Sequence, residues 1–204
     1  MDTYEAIMTR RSVRRFKSDP ISDEQVWKCL EAANMAPTAS NNQPWRFIVI
    51  RREQLDKIQS ILEDSFNERA EAIGYAEYSR RIQELPVPAI DGDKIKGLRN
   101  FYKSLGKAPV AILVYVEQNP DPWRSFLNTQ DASAAIENLI LAAWADGVGS
   151  CWMCGPLVQK NQILSDYFGI PDKTLIALIP LGYPEEVPPS PPKGNVRDRT
   201  TWFG

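Results

Sequence analysis

The residues best equipped for chemistry are basic. Arg10-Arg11-Ser12-Val13-Arg14-Arg15-Phe16-Lys17 gathers five of the chain's 24 lysines and arginines into eight positions around one serine. A guanidinium is a planar fork matched to phosphate oxygens, and a serine hydroxyl adds a short donor. A phosphate carrying nearly two charges suits such a group, with each charge-assisted hydrogen bond contributing about 1.5–3 kcal/mol. If the helix before the cluster continues through it, Arg10 and Arg14 share one side. The plain alternative is a solvated helix end. Arg197 and Arg199 form a second basic pair near the other end of the chain, on one face if the backbone there is extended. Together the two clusters can close a phosphate pocket.

Two other stretches invite a chemical reading. Residues 36–44, Ala-Pro-Thr-Ala-Ser-Asn-Asn-Gln-Pro, are small and polar, with two prolines limiting the backbone. They read as a helix-to-strand connection, or as a rigid polar rim for a planar ligand. Cys151-Trp152-Met153-Cys154 is a C-x-x-C, the pattern of a redox pair or of half a zinc site. No second C-x-x-C and no histidine exist, and Cys29 does not complete a tetrahedral set, so a closed tetrahedral zinc site is not expected. Buried or incidental cysteines are the favoured reading.

The chain contains no histidine. That removes Ser-His-Asp triads, Cys-His pairs and imidazole metal sites. Neither a P-loop nor a G-x-G-x-x-G occurs, so those phosphate-binding modes are absent too. The formal net charge of −2 argues against a basic nucleic-acid surface. The longest apolar run, residues 108–116, falls far short of the ~18 needed to span a membrane. The first residues do not read as a signal peptide. Three cysteines in 204 residues do not make a disulfide framework, and a reducing cytoplasm is the expected setting.

The elements that must position these residues follow from periodicity. A short helix is expected over 3–10. A second begins at Ser22 with a capping box to Gln25 and carries the apolar stripe Val26, Trp27, Leu30, Ala33. A strand covers 45–50, a long charged helix 53–73, and a mixture of loop and helix 74–107. The β-branched run 109–116 reads as a buried strand. Residues 119–127 read as loop, 131–145 as a helix apolar all round, 150–153 as a strand, 159–168 as a short helix and 174–181 as a strand. The result is a single α+β domain over 1–204, built on one sheet. A proline-rich stretch from 185 leads into an extended arm ending at Trp202-Phe203, whose rings need a surface to bury against, such as a partner subunit.

Taken in order along the chain, these motifs resemble the FMN-dependent nitroreductase family. The resemblance rests on residues 10–16, residues 36–45, Gly147-Val148-Gly149-Ser150-Cys151-Trp152, Gly182-Tyr183-Pro184 and the late Arg197-x-Arg199. It implies a nitroreductase-like α+β fold: a central, mostly antiparallel sheet flanked by helices, with the C-terminal arm embracing the partner of a homodimer. FMN would lie at the dimer interface. Arg10, Ser12, Arg197 and Arg199 would hold its phosphate, Arg11 would lie near the ribityl chain, and Arg14 beside the pyrimidine ring. Pro37, Thr38, Ala39 and Asn41 would come from the other subunit's loop, and the backbone of Cys154 and Gly155 would face N5 and O4. Relatives also use a mid-chain Asn and Lys at the pyrimidine edge; Asn67 is a candidate for the first, and Ala70 stands where the lysine is expected. The excursion 70–107 would cover the substrate side.

The implied activity is ping-pong hydride transfer from NADH or NADPH to flavin N5 and on to a nitroaromatic, a quinone or a similar acceptor. The cofactor carries the chemistry, so no catalytic side chain and no metal is implied. Alternatives are another flavin reaction of the family (dehydrogenation, dehalogenation or flavin cleavage), a non-catalytic FMN-binding homologue, and a thiol redox protein using Cys151 and Cys154.

Overall fold

The run Val110–Glu117 is apolar at almost every position, and a strand of that kind must be covered on both faces. The computed structural model, which describes residues 1–85, 89 and 92–204, shows how this is met. Four strands, β1 (Trp45–Arg51), β2 (Val110–Glu117), β3 (Gly149–Ser150) and β4 (Lys173–Gly182), form an antiparallel sheet in the order β1-β2-β4-β3. Central β2 alternates its side chains between two cores. Leu113 and Tyr115 point into one, with Leu178 of β4; Ile112 and Val114 point into the other, with Ile179. A shift of register after Val114 marks an irregularity in the β2–β4 ladder.

The helices sort onto these two faces. The side of Ile112 is covered by α2 (Asp23–Asn34) and α6 (Pro122–Ala145), which pack on one another through Val26, Leu30, Ile136 and Leu139. The other side is covered by α3 (Arg52–Ile73), α4 (Tyr75–Glu84), α5 (Lys94–Ser104) and α7 (Asn161–Tyr167). Short α1 (Thr3–Thr9) rests on α6, where the Trp144 indole N–H donates to Thr9 Oγ1 at 2.9 Å. α2 starts where its sequence says. Ser22 Oγ accepts from Gln25 N, and the Gln25 side chain accepts from Ser22 N, both at 3.2 Å.

Three expectations change, and one is filled in. Residues 119–127 are not all loop, because α6 already begins at Pro122. Asp121 caps it by accepting from Trp123 N at 3.0 Å, and Pro122 occupies the first turn, where its missing N–H costs nothing. The strand expected over 150–153 shrinks to Gly149–Ser150. Met153 instead forms an isolated bridge with Leu178, N–H to carbonyl both ways at 3.1 and 2.9 Å. The mixed region 74–107 resolves into α4 and α5; residues 86–88, 90 and 91 of that excursion lie outside the described residues. Finally, α1 does not run on through the basic cluster. Arg10 leaves the helix at φ −54°, ψ 138°, so Arg10 and Arg14 are not on one helical face.

The chain leaves the helix at Arg10 because the next residues are claimed by the sheet end. Ser12 bridges Ser150, and Val13 N donates to the Ser150 carbonyl at 2.8 Å. Farther on, Lys17 N donates to the Tyr183 carbonyl at 2.8 Å, and Glu185 N donates to the Arg15 carbonyl at 3.1 Å. From the other flank, Phe16 N donates to the Gly106 carbonyl at 2.9 Å. The approach leaves no room for side chains opposite. A Cβ on Gly182 would meet Phe16 at 2.8 Å. One on Gly106 would meet the Arg14 carbonyl oxygen at 2.1 Å, at a φ of +61° that only glycine adopts freely.

Candidate cofactor-binding site

The pinned segment 10–16 and the chain after β3 form two adjoining walls. Val13 and Phe16 are buried and act as anchors, while Ser12 and Arg14 alternate with them and stay partly accessible. Arg14 Nη1 donates to the Ser12 carbonyl at 3.4 Å, and Arg11 Nη1 to the carbonyls of Met8 and Arg10 at 3.1 and 2.8 Å. Arg10 approaches Glu137 of α6 at 3.8 Å. Arg15 is spoken for by Glu185 at 3.1 Å and Glu186 at 3.9 Å. Among the described residues no carboxylate pairs with Arg11 or Arg14. A partly buried guanidinium without an acid is a standing invitation to an anion.

The second wall carries the cysteines. Cys151 is buried and Cys154 exposed. Burial pushes the Cys151 thiol up, against a smaller downward pull from Arg14 and Arg10. A thiol held protonated is a poor nucleophile, which favours the structural reading of Cys151 over a dithiol couple. Gly155, beside Cys154, is exposed. The turn that follows is tied to α3 by Lys160, buried and paired with Glu68. Asn67 on the same helix is partly exposed, whereas Ala70 is buried among the aromatic rings and aliphatics of the core, so a lysine there has no room.

Two cavities adjoin Arg14. One of about 230 Å³ is lined by Arg14, Asn100, Ser104 and Lys107; the other, of about 250 Å³, lies between Ser12, Arg14 and the start of the arm at Glu186–Pro189. Tyr102 of α5 joins the site from the first side. Its ring packs on Phe66 at a centroid distance of 5.5 Å, and its hydroxyl lies beside Gly155. Burial drives its ionisation above the usual tyrosine range, with Tyr78, Cys151 and Cys154 adding and Arg14 opposing. Tyr102 was invisible in the sequence, because nothing local distinguishes it from a core aromatic.

The loop 36–44 is built separately, on α6. Ala39 N donates to both carboxylate oxygens of Asp131 at 3.3 Å, Gln43 N to Thr38 Oγ1 at 3.3 Å, and Asn42 Nδ2 to Asn128 Oδ1 at 3.4 Å. Ser40, Asn41 and Gln43 all have positive φ, a strained conformation that these bonds must hold in place. Pro37 and Asn41 are exposed, and Thr38 and Ala39 partly so. Asp131 and Asn128 are thus the residues that shape the rim, and sequence reading placed neither there. No described hydrogen bond or ion pair joins this loop to residues 10–14 or 154–155 of the same chain.

The arm's arginines also stand apart. Residues Val196–Arg199 form one 3₁₀ turn rather than an extended run, because Asn195 caps it by accepting from Arg197 N at 3.1 Å. Arg197 and Arg199 therefore do not alternate along one extended face. Both are exposed, and neither has a carboxylate partner among the described residues.

A family model described as the Nitroreductase family matches residues 7–183. The chain belongs to that family. It is 29% identical over 197 residues to YfhC of Bacillus subtilis (strain 168), covering 96% of this chain and 91% of that one. It also matches the crystal structure of an iodotyrosine deiodinase bound to FMN and 3-iodo-L-tyrosine, with a TM-score of 0.75 and 26% identity, over 99% of this chain and all of the other. The FMN-dependent nitroreductase NfnB from Mycobacterium smegmatis, solved in complex with NADPH, shares the fold with a TM-score of 0.77 at 20% identity, over 98% and 97% of the two chains. The four-stranded antiparallel sheet between helical layers is the nitroreductase-like α+β fold that the motifs implied. Among the described residues, no helix is long and apolar enough to cross a membrane.

Proposed function

We propose that this nitroreductase-family chain is an FMN-dependent oxidoreductase that takes a hydride from NAD(P)H and passes the electrons to a nitroaromatic, a quinone or a similar acceptor. The observation that carries the reading is the segment 10–14, fixed by backbone bonds against the chain at 150, with Arg11 and Arg14 lacking acid partners. The donors there fit FMN: guanidinium forks and a hydroxyl for the phosphate, and a cation for the ring edge that becomes electron-rich. FMN, when bound, supplies the two-electron chemistry, which no side chain of a histidine-free protein has to provide.

The chain's own residues bind and orient. Arg10 and Ser12 hold the phosphate, Arg11 the ribityl side, and Arg14 places positive charge where negative charge develops. The backbone N–H groups at Cys154 and Gly155 face the reactive edge, so the Cys154 thiol is not required. The remaining parts, Arg197, Arg199 and the rim Pro37, Thr38, Ala39 and Asn41, are not assembled by one chain. We read the functional unit as a homodimer that assembles them. Trp202 and Phe203 are 91% and 95% exposed in the isolated chain, and edge strand β1 is flanked by an open groove of about 840 Å³ lined by Trp27, Met35, Trp45 and Val49. Aromatic ends and apolar grooves are left unfilled in this way when a second subunit fills them. Three free thiols fit a reducing cytoplasm.

The deiodinase likeness favours a second reading, in which the same cofactor serves reductive removal of a halogen. The deciding experiment is an anaerobic titration of the FMN-loaded protein with NADPH, followed at the visible flavin band. Bleaching supports the proposal, and an acceptor panel of nitro compounds, quinones and halophenols then separates the two readings. A bound flavin that stays oxidised with NADPH and then with NADH refutes NAD(P)H as donor.

A further inference from the structure

The Tyr102 hydroxyl has an address but no partner. The residue is only 7% exposed, and its ring is fixed in an aromatic group with Phe66 and Tyr78, drawn from α5, α3 and α4. Among the described residues no hydrogen bond holds its hydroxyl, and the oxygen is not one of the sealed, unpartnered polar atoms, which are Tyr115 Oη and Ser150 Oγ. The ring is buried while the oxygen keeps access to the site, where an arriving ligand can accept from it. The position is telling. A Cβ built on Gly155 would come within 3.2 Å of this hydroxyl, so the oxygen occupies the space where residue 155 would otherwise carry a side chain. Gly155 is itself exposed, and Arg14, Cys151 and Cys154 lie close by. The phenol is therefore aimed through the second wall of the site, next to the backbone that faces the reactive edge of the cofactor.

We propose that the Tyr102 hydroxyl donates a hydrogen bond to the bound flavin, reaching it past the side-chain-free backbone at Gly155. This rests on the FMN reading of the site. The phenol stays protonated across the working pH range, so it acts as a fixed donor. A donor at that edge favours the reduced flavin, which carries more electron density there, over the oxidised one.

The test is Tyr102→Phe, which keeps the ring against Phe66 and removes only the oxygen. Tyr78→Phe, which removes the neighbouring buried hydroxyl, is the control. The readouts are the flavin reduction potential by dye equilibration and the dissociation constant for FMN. Tyr102→Phe is expected to shift the equilibrium about tenfold toward oxidised flavin, or ~30 mV lower for a two-electron couple, while Tyr78→Phe leaves the potential in place. An unmoved potential and unchanged FMN affinity in Tyr102→Phe overturn the assignment, as does an equal shift in both variants, which would mark a general loosening of the aromatic group. Wild-type protein that retains no FMN overturns the functional reading and this assignment with it. FMN bound by the variant with both potential and affinity unmoved removes Tyr102 alone.

Discussion

Residues 10–16 and 195–199 carry the arginines assigned to one phosphate, yet the molecule treats them oppositely. The first segment is clamped from both flanks by backbone bonds to Ser150, Tyr183 and Gly106, with glycines opposite where the approach is tightest. The second is a single capped turn on an exposed arm, bonded only to itself. On the proposed reading, one chain prepares half of a site and holds the other half out. Ordering the arm costs conformational entropy, roughly 1–2 kcal/mol per residue, and docking on a partner would offset it. Cofactor binding and subunit association would then support one another.

The comparison can be broken at its rigid end first. Gly106→Ala drives a Cβ into the Arg14 carbonyl at a left-handed φ. It is expected to destabilise the fold by about 2 kcal/mol or more and to abolish FMN retention, read by thermal melts and by flavin absorbance after gel filtration. A variant that melts normally and keeps its flavin would show that the clamp is not what orders the site. Arg14→Ala removes one charge and a long bond to the Ser12 carbonyl, but leaves the segment's backbone–backbone bonds in place. FMN affinity should fall by roughly 10- to 100-fold, as losing a charge-assisted bond predicts, with the melting temperature little changed.

At the exposed end, Trp202→Ala with Phe203→Ala should leave the circular dichroism spectrum as it is and raise the dimer dissociation constant, measured by analytical ultracentrifugation. A dimer as tight as the wild type would remove the arm from the interface. The smallest effects fall on the thiols. In the folded protein without FMN, Ellman's reagent should reach Cys154 and spare Cys29 and Cys151. Exchanging Cys151 and Cys154 for serine should leave turnover unchanged, and lost turnover would revive the thiol redox alternative. Burial pushes Cys29 up to about 11 and Cys151 upward as well. The unfolded chain ionises these thiols near the ordinary value of about 8.5 while the folded one keeps its protons. Their contribution to stability is therefore full below that pH and is lost as pH rises beyond it. Urea midpoints between pH 8 and 10.5 should fall, and less steeply in Cys151→Ala.

What the sequence disclosed was what neighbours along the chain decide. Ser22 with Gln25 announces α2, and the unbroken run from Val110 announces a strand covered on both faces. Asp121-Pro122 was an equally local cap, but proline in a polar stretch resembles loop until the following helix is seen to need it. The site divides along the same line. Arg10, Ser12 and Arg14 stand out by type and spacing, whereas their conformation does not, because Ser150 and Gly106 take hold of that segment from far along the chain. Tyr102, Asp131 and Asn128 carried no signal at all: each matters only through a segment that long-range packing brings to it.

The sheet order has a consequence for how the molecule is made. β1 must wait for β2, and β2 for β4, so the sheet cannot close until residue 182 has been synthesised. The segment 12–17 waits just as long, since two of its holds, Tyr183 and Glu185, lie beyond that strand. The arginines that leave the ribosome first are among the last groups to be placed. Pairings this distant close slowly, and until they close the apolar face of β2 is uncovered. FMN therefore meets no half-built binding site during synthesis; it meets a finished sheet or nothing.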